Sequence, residues 1–181
     1  MDQVKFIERR RALVASFFVA IGGFAIALDA CRSSAPGAVS EGTALLSTAR
    51  LVEAMLQDGA PPRSITSKAL AQTASAPVAW AKGTQLINRW GEAVYVSASE
   101  ADGAQRISIG IGGVPVPECI ALARGVGKEF DDVLISGRSI ARPRDDVFAG
   151  EADWLAELRL ACGARIASAM EFIREAKMPA R

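Results

Sequence analysis

Ala93-Val94-Tyr95-Val96-Ser97 and, after a turn at Ala101-Asp102-Gly103, Arg106-Ile107-Ser108-Ile109-Gly110-Ile111 alternate apolar and polar residues with period two. Successive side chains of a strand point to opposite faces, so both runs read as strands with one buried side. Asp-Gly between them is a hairpin signal, and an antiparallel pair is the simplest assembly. Everything outside this hairpin has to be fitted around a sheet.

Downstream, Pro115 and Pro117 mark the end of the hairpin, and Glu118 to Val126 has helical character with Pro117 suited to a first turn. Phe130 to Ser136 returns to strand, Gly137 is a turn and Ser139-Ile140-Ala141 a continuation. Asp153 to Cys162 carries Trp154, Leu155, Leu158 and Ala161 at helical spacing. Ala169 to Ile173 fits helix or strand on pattern alone. Gly110-Ile111-Gly112-Gly113 is followed by neither a helix start nor a Lys-Ser/Thr pair, so it reads as a bulge or turn at a strand end and not as a phosphate cradle.

Upstream, Arg63 to Lys82 is rich in Ala, Ser, Thr and Pro and reads as a loop with a short helix at Ser67 to Gln72. Ala38 to Gln57 is amphipathic: Leu45, Ala49, Val52 and Leu56 recur at spacings of four, three and four, widened by Leu46 and Met55. Asp58-Gly59-Ala60-Pro61-Pro62 ends that helix. Pro36 and Gly37 are expected to kink or interrupt the chain where it leaves a different kind of segment.

That segment is Ala12 to Leu28, an uncharged run directly after Arg9, Arg10 and Arg11. As a helix it would extend about 26 Å, near the lower limit for crossing a hydrocarbon core of about 30 Å. Its apolar side chains include Leu13, Phe17, Phe18, Ile21, Phe24, Ile26 and Leu28. Lys5 and the arginines would keep the leading end in the cytoplasm by the positive-inside rule, placing the rest across the membrane. The expected division is a basic tip, apolar helix and kink over 1–37 and an exported globular domain over 38–181.

Lys and Arg number 21 against 20 for Asp and Glu, a net charge of +1, so no overall field draws in nucleic acid. Histidine is absent, which removes the commonest general base and zinc ligand together. Asp131-Asp132 and Asp145-Asp146 read as solvated turn residues, and no serine sits in a nucleophile-elbow arrangement. No catalytic residue, metal site or cofactor is expected. Of three cysteines, Cys119 and Cys162 pair naturally in an oxidising compartment, leaving Cys31; the alternative is two buried thiols. Closing that loop would contribute about 3 to 4 kcal/mol in the chain-entropy model.

Gly83-Thr84-Gln85-Leu86-Ile87-Asn88-Arg89-Trp90-Gly91-Glu92-Ala93-Val94-Tyr95-Val96 resembles the Asn-x-Trp-Gly and strand segment of the type IVb pilins, of the PilS and toxin-coregulated pilus type. Asn88, Trp90 and Gly91 carry the motif. Val116-Pro117-Glu118-Cys119-Ile120-Ala121-Leu122 resembles the family's proline-led helix with the first cysteine, Phe130 to Gly137 its next strand and turn, and Cys162 stands where the second cysteine falls. The resemblance implies an α+β fold: a long N-terminal helix, its first half in the membrane, packed on an antiparallel sheet. It also makes Ala169 to Ile173 a strand.

The implied function is a structural subunit, a major or minor pilin, whose partners are itself or co-pilins, the inner membrane and the pilus assembly platform. Two features at the N-terminus differ from the family pattern. No glycine precedes the apolar run, and Glu8 takes the place of the family's glutamate only if cleavage falls before Val4. Leu28-Asp29-Ala30-Cys31 also resembles a lipoprotein processing site, which makes Cys31 a candidate for lipidation.

Overall fold

The computed structural model describes residues 36–101, 103–140, 148–164 and 167–176, all within one compact unit, Ala35–Arg181. Helix α1 spans Pro36–Gln57. Pro36 opens the described helix, a position where its missing N–H costs no intrahelical bond. At the other end Ala60 N–H donates to Met55 O (2.9 Å) and Gly59 N–H to Leu56 O (3.1 Å), with Gly59 at φ +88°. That is a Schellman closure, and Pro61-Pro62 prevents continuation. Among the described residues no helix is long and apolar enough to cross a membrane, and Ala12 to Leu28 lies outside them.

After a 3₁₀ turn at Pro62–Ser64, the short helix α2 covers Ser67–Ala71, capped by Thr66, whose Oγ1 accepts from Ala69 N–H (3.2 Å). A two-stranded ribbon follows, β1 (Ala81–Lys82) at the end of the stretch expected to be a loop with a short helix and β2 (Gln85–Leu86) just beyond it. β3 (Val94–Ala101) and β4 (Ala104–Pro115) form the expected hairpin, longer at both ends, with Ala101 opposite Ala104 and a two-residue turn between them. Helix α3 (Val116–Val126) has Pro117 in its first turn, as expected. β5 (Asp132–Ile135) and β6 (Arg138–Ser139) are joined through Ser136 (φ +52°) and Gly137 (φ +84°), the pair of positive φ values a type I′ turn requires. Helix α4 (Phe148–Gly163) then leads to β7 (Ala167–Glu175).

The five-stranded sheet runs β3-β4-β7-β5-β6, antiparallel at every pairing. β7, the last element in sequence, lies in the middle, so Ala169 to Ile173 is strand. β4 and β5, each antiparallel to β7, are parallel to one another, and α3 is their crossover. Alternation places Val94, Val96, Ile107, Ile109, Ile111, Val133, Ile135, Met170 and Phe172 on the covered face, all buried. Tyr95, on the opposite face, is 70% exposed. Gly112 and Gly113 absorb a register shift between Ile111 and Val114, Gly113 at φ +68°: a bulge at the strand end, as read from the sequence.

The predicted stripe of α1 is buried as expected, and α1 meets α3 as well as the sheet. Leu45, Ala49, Val52 and Leu56 are all buried, and α1 packs chiefly on α3, meeting the sheet at β4 and through Glu53 at Arg174 of β7. Gly42 shows why: a Cβ there would lie 2.8 Å from Val126 Cγ1 on α3. The crossover helix therefore fills space expected to belong to the sheet alone. Cys119 on α3 and Cys162 on α4 are disulfide-bonded, with Cα atoms 5.9 Å apart and no exposure. The open edge of β3 is blocked by α2, where Ser67 Oγ accepts from Val96 N–H (2.7 Å).

Alkylation of native, unreduced protein should label neither Cys119 nor Cys162. Replacing both by serine should lower unfolding free energy by about 4 kcal/mol in the chain-entropy model, read as a shifted urea midpoint.

Candidate functional site

Asn88 sits at the centre of the one motif that the sequence reading singled out within the domain. Its side chain is fully buried, and all its hydrogen bonds go to backbone. Oδ1 accepts from Trp90 N–H (3.0 Å) and Glu92 N–H (3.0 Å), while Nδ2 donates to Gly112 O (2.7 Å). Asn88 N–H donates to Glu92 O (2.9 Å) and Gly91 N–H to Asn88 O (3.1 Å), so residues 88–92 close on themselves. Gly91 stands at φ +87°, left-handed backbone that glycine adopts without strain.

The motif and the glycine bulge meet here. A Cβ on Gly113 would fall 2.7 Å from Glu92 Cγ and 3.7 Å from Trp90 Cβ, so the bulge glycines leave room for the 88–92 turn. Trp90 packs against the core's edge. The Asn-x-Trp-Gly residues therefore come together as a structural turn that joins the start of β3 to the end of β4.

A second polar cluster was missed. Glu41, on α1, is buried at 2% exposure; its Oε2 accepts from Trp80 Nε1–H (2.6 Å) and its Oε1 from Arg89 N–H (3.0 Å). Both carboxylate oxygens thus have donors from the 80–89 segment, as a buried anion requires. Arg89 also lies over the start of α1, since a Cβ on Gly37 would overlap its guanidinium. Farther along α1, Glu53 Oε1 pairs with Arg174 Nε on β7 (3.0 Å), both largely buried. One signal did exist: Glu41 extends the Leu45, Ala49, Val52, Leu56 stripe one step toward the N-terminus, and a carboxylate on an apolar stripe implies a buried partner.

Asp131 is exposed in a bend, as expected of a solvated turn residue, whereas Asp132 is half-buried and opens β5. Asp131 Oδ2 accepts from Glu175 N–H (2.8 Å); Asp132 Oδ1 accepts from Val133 N–H (2.8 Å) and Ser139 Oγ–H (2.7 Å). Strand ends present unpaired N–H groups, and these carboxylates satisfy them. Asp145-Asp146 lies outside the described residues. So do Val4, Glu8, Cys31 and the apolar-run residues Leu13, Phe17, Phe18, Ile21, Phe24, Ile26 and Leu28. Among the described residues, no group of three or more His, Cys, Asp or Glu is placed to hold a metal ion.

A scan against protein-family models finds no match, and a search of curated proteins finds none. Among solved structures the chain is similar to TcpA, a type IV pilin from Vibrio cholerae El Tor biotype, at 14% identity and a TM-score of 0.43, covering 79% of this chain and 97% of that one.

Asn88→Ala would leave Gly112 O and two N–H groups without their partner. It should destabilise the domain by about 2 to 4 kcal/mol in denaturant titration. Asn88→Asp keeps the acceptor contacts but sets a carboxylate oxygen against Gly112 O in a fully buried site, so at neutral pH it should cost at least as much.

Proposed function

We propose that the chain is a structural subunit, major or minor, of a bacterial type IVb pilus, self-assembling through its apolar N-terminal segment in adhesion, aggregation or conjugation. The observation that carries this reading is the joining, in one chain, of an uncharged run at 12–28 to an amphipathic helix docked on a disulfide-bonded α+β domain. The order of the motifs quoted above supports it, and so does the absence of any recognised catalytic pattern in the sequence.

The physical logic is an exchange of environments. An apolar helix held in lipid can swap acyl chains for identical neighbouring helices with little change in apolar burial. Gly22 and Gly23 would permit close approach of such helices. In this proposal residues 1–37 are the membrane and polymerisation segment, and 38–181 form the outer surface of the fibre. Before assembly the subunit spans the inner membrane once, its N-terminus cytoplasmic; afterwards it is extracellular. Its partners are further copies or co-pilins and the assembly platform, and it needs no cofactor.

A second reading is favoured by one specific feature. Arg9, Arg10 and Arg11 suit a permanent anchor better than a filament core, which points to a membrane-held periplasmic component of a secretion or pilus assembly machine that does not polymerise.

Sheared surface material separates the two. Recovery of the protein in the sheared filament fraction is the expected result, and recovery only with the inner membrane would favour the anchor. N-terminal sequencing of the mature chain should begin at Val4 if Glu8 serves as the family's glutamate; an intact Met1 would again favour the anchor.

A further inference from the structure

The two halves of α1 are held by different forces. From Leu45 onward its buried face presents Leu45, Ala49, Val52 and Leu56, reinforced by the Glu53–Arg174 pair and the Schellman closure. Before Leu45 the buried face is Gly37, Ala38, Glu41, Gly42 and Ala44, of which all but Glu41 bury no more than a methyl group. Apolar stabilisation scales with area removed from water, so these turns gain little from it. Gly37 and Gly42 also lower their intrinsic helix stability. Gly42 is required by its close approach to Val126, so packing there has traded helix propensity for proximity, while Gly37 lies under the movable guanidinium of Arg89.

What remains to hold the first turns is Glu41. Its two hydrogen bonds reach partners 39 and 48 positions away in sequence, and both partners belong to the segment that also carries the Asn88 turn. We propose that Glu41 is a conformational latch: turns 36–44 of α1 open and close on the domain as a unit, governed by the Trp80 and Arg89 contacts, while the sheet, α3, α4 and the rest of α1 stay closed. The latch holds whether or not the chain polymerises.

Opening is self-consistent in hydrogen bonding. Glu41 and the two released N–H groups pass to water, and no charge is left buried without a partner. Leu45 marks the hinge, because it is the first large side chain with no exposure. The released unit would expose the indole edge of Trp80.

The test is hydrogen exchange by mass spectrometry on the full-length chain in detergent micelles, comparing wild type with Glu41→Ala, Glu41→Gln and Trp80→Phe. In wild type, amides of 40–45 should exchange at least about tenfold faster than those of 49–56, as a separately opening unit does. Glu41→Ala should accelerate 40–45 by a further tenfold or more, corresponding to loss of charge-assisted bonds of about 1.4 kcal/mol or more. Amides of Met170 to Phe172 should be unchanged. Trp80→Phe, which removes one donor and leaves a smaller ring in the buried site, should accelerate the same amides beyond the uniform change that lost packing gives the whole domain; it supplies the reading if Glu41→Ala does not fold. A uniform acceleration across α1 and β7 would show Glu41 to be an ordinary contributor to global stability and overturn the latch. Equal wild-type protection in the two halves of α1 would overturn it as well. Neither result depends on filament recovery, so the latch and the pilus reading fail independently.

Discussion

β7 hydrogen-bonds to β4 on one side and to β5 on the other, and Met170 and Phe172 on its covered face are fully or almost fully buried. Without it the hairpin β3–β4 and the short pair β5–β6 would be separate two-stranded ribbons, which are marginal in water. The chain must therefore deliver its C-terminal end to the middle of the sheet. The Cys119–Cys162 bond bears directly on that delivery, because it ties α4, which leads into β7, to the crossover helix α3. Phe130, next to β5, then meets Phe172 with ring centroids 5.1 Å apart.

Around this sheet the domain uses buried polar side chains as joints between elements far apart in sequence. Asn88 closes its own turn and reaches the β4 bulge; Glu41 joins α1 to Trp80 and Arg89; Glu53 joins α1 to β7. Each such group is costly to bury alone and acceptable only when satisfied, so each specifies one arrangement of its neighbours. The exposed pair Arg138–Glu157, between β6 and α4, has no comparable hold because water screens it. These joints give the domain its geometry, and none of them resembles a catalytic constellation.

Period two made β3 and β4 legible, and the combination of proline, glycine and apolar spacing made α1, α3 and α4 legible to within a few residues. Those signals are local, arising from which face of an element meets water. The Asn88 motif was visible as a pattern, yet its role as a self-closing turn seated on Gly112 and Gly113 was not, since the two segments lie more than twenty residues apart. The tiny ribbon β1–β2 was missed because two-residue strands have no period to read.

Residue patterns alone determined the amphipathic stripe of α1, the hairpin and the candidate disulfide pair, because periodicity and residue type act over short distances; the α+β class came with the resemblance. Pattern left Ala169 to Ile173 open between helix and strand, and the resemblance made it a strand. Only the tertiary structure decided that this segment is the central strand, that α1 rests chiefly on α3, and that Glu41 and Glu53 have partners. Those outcomes depend on which distant surfaces meet, and hydrogen-bond donors and apolar faces find their partners only when the whole chain is closed.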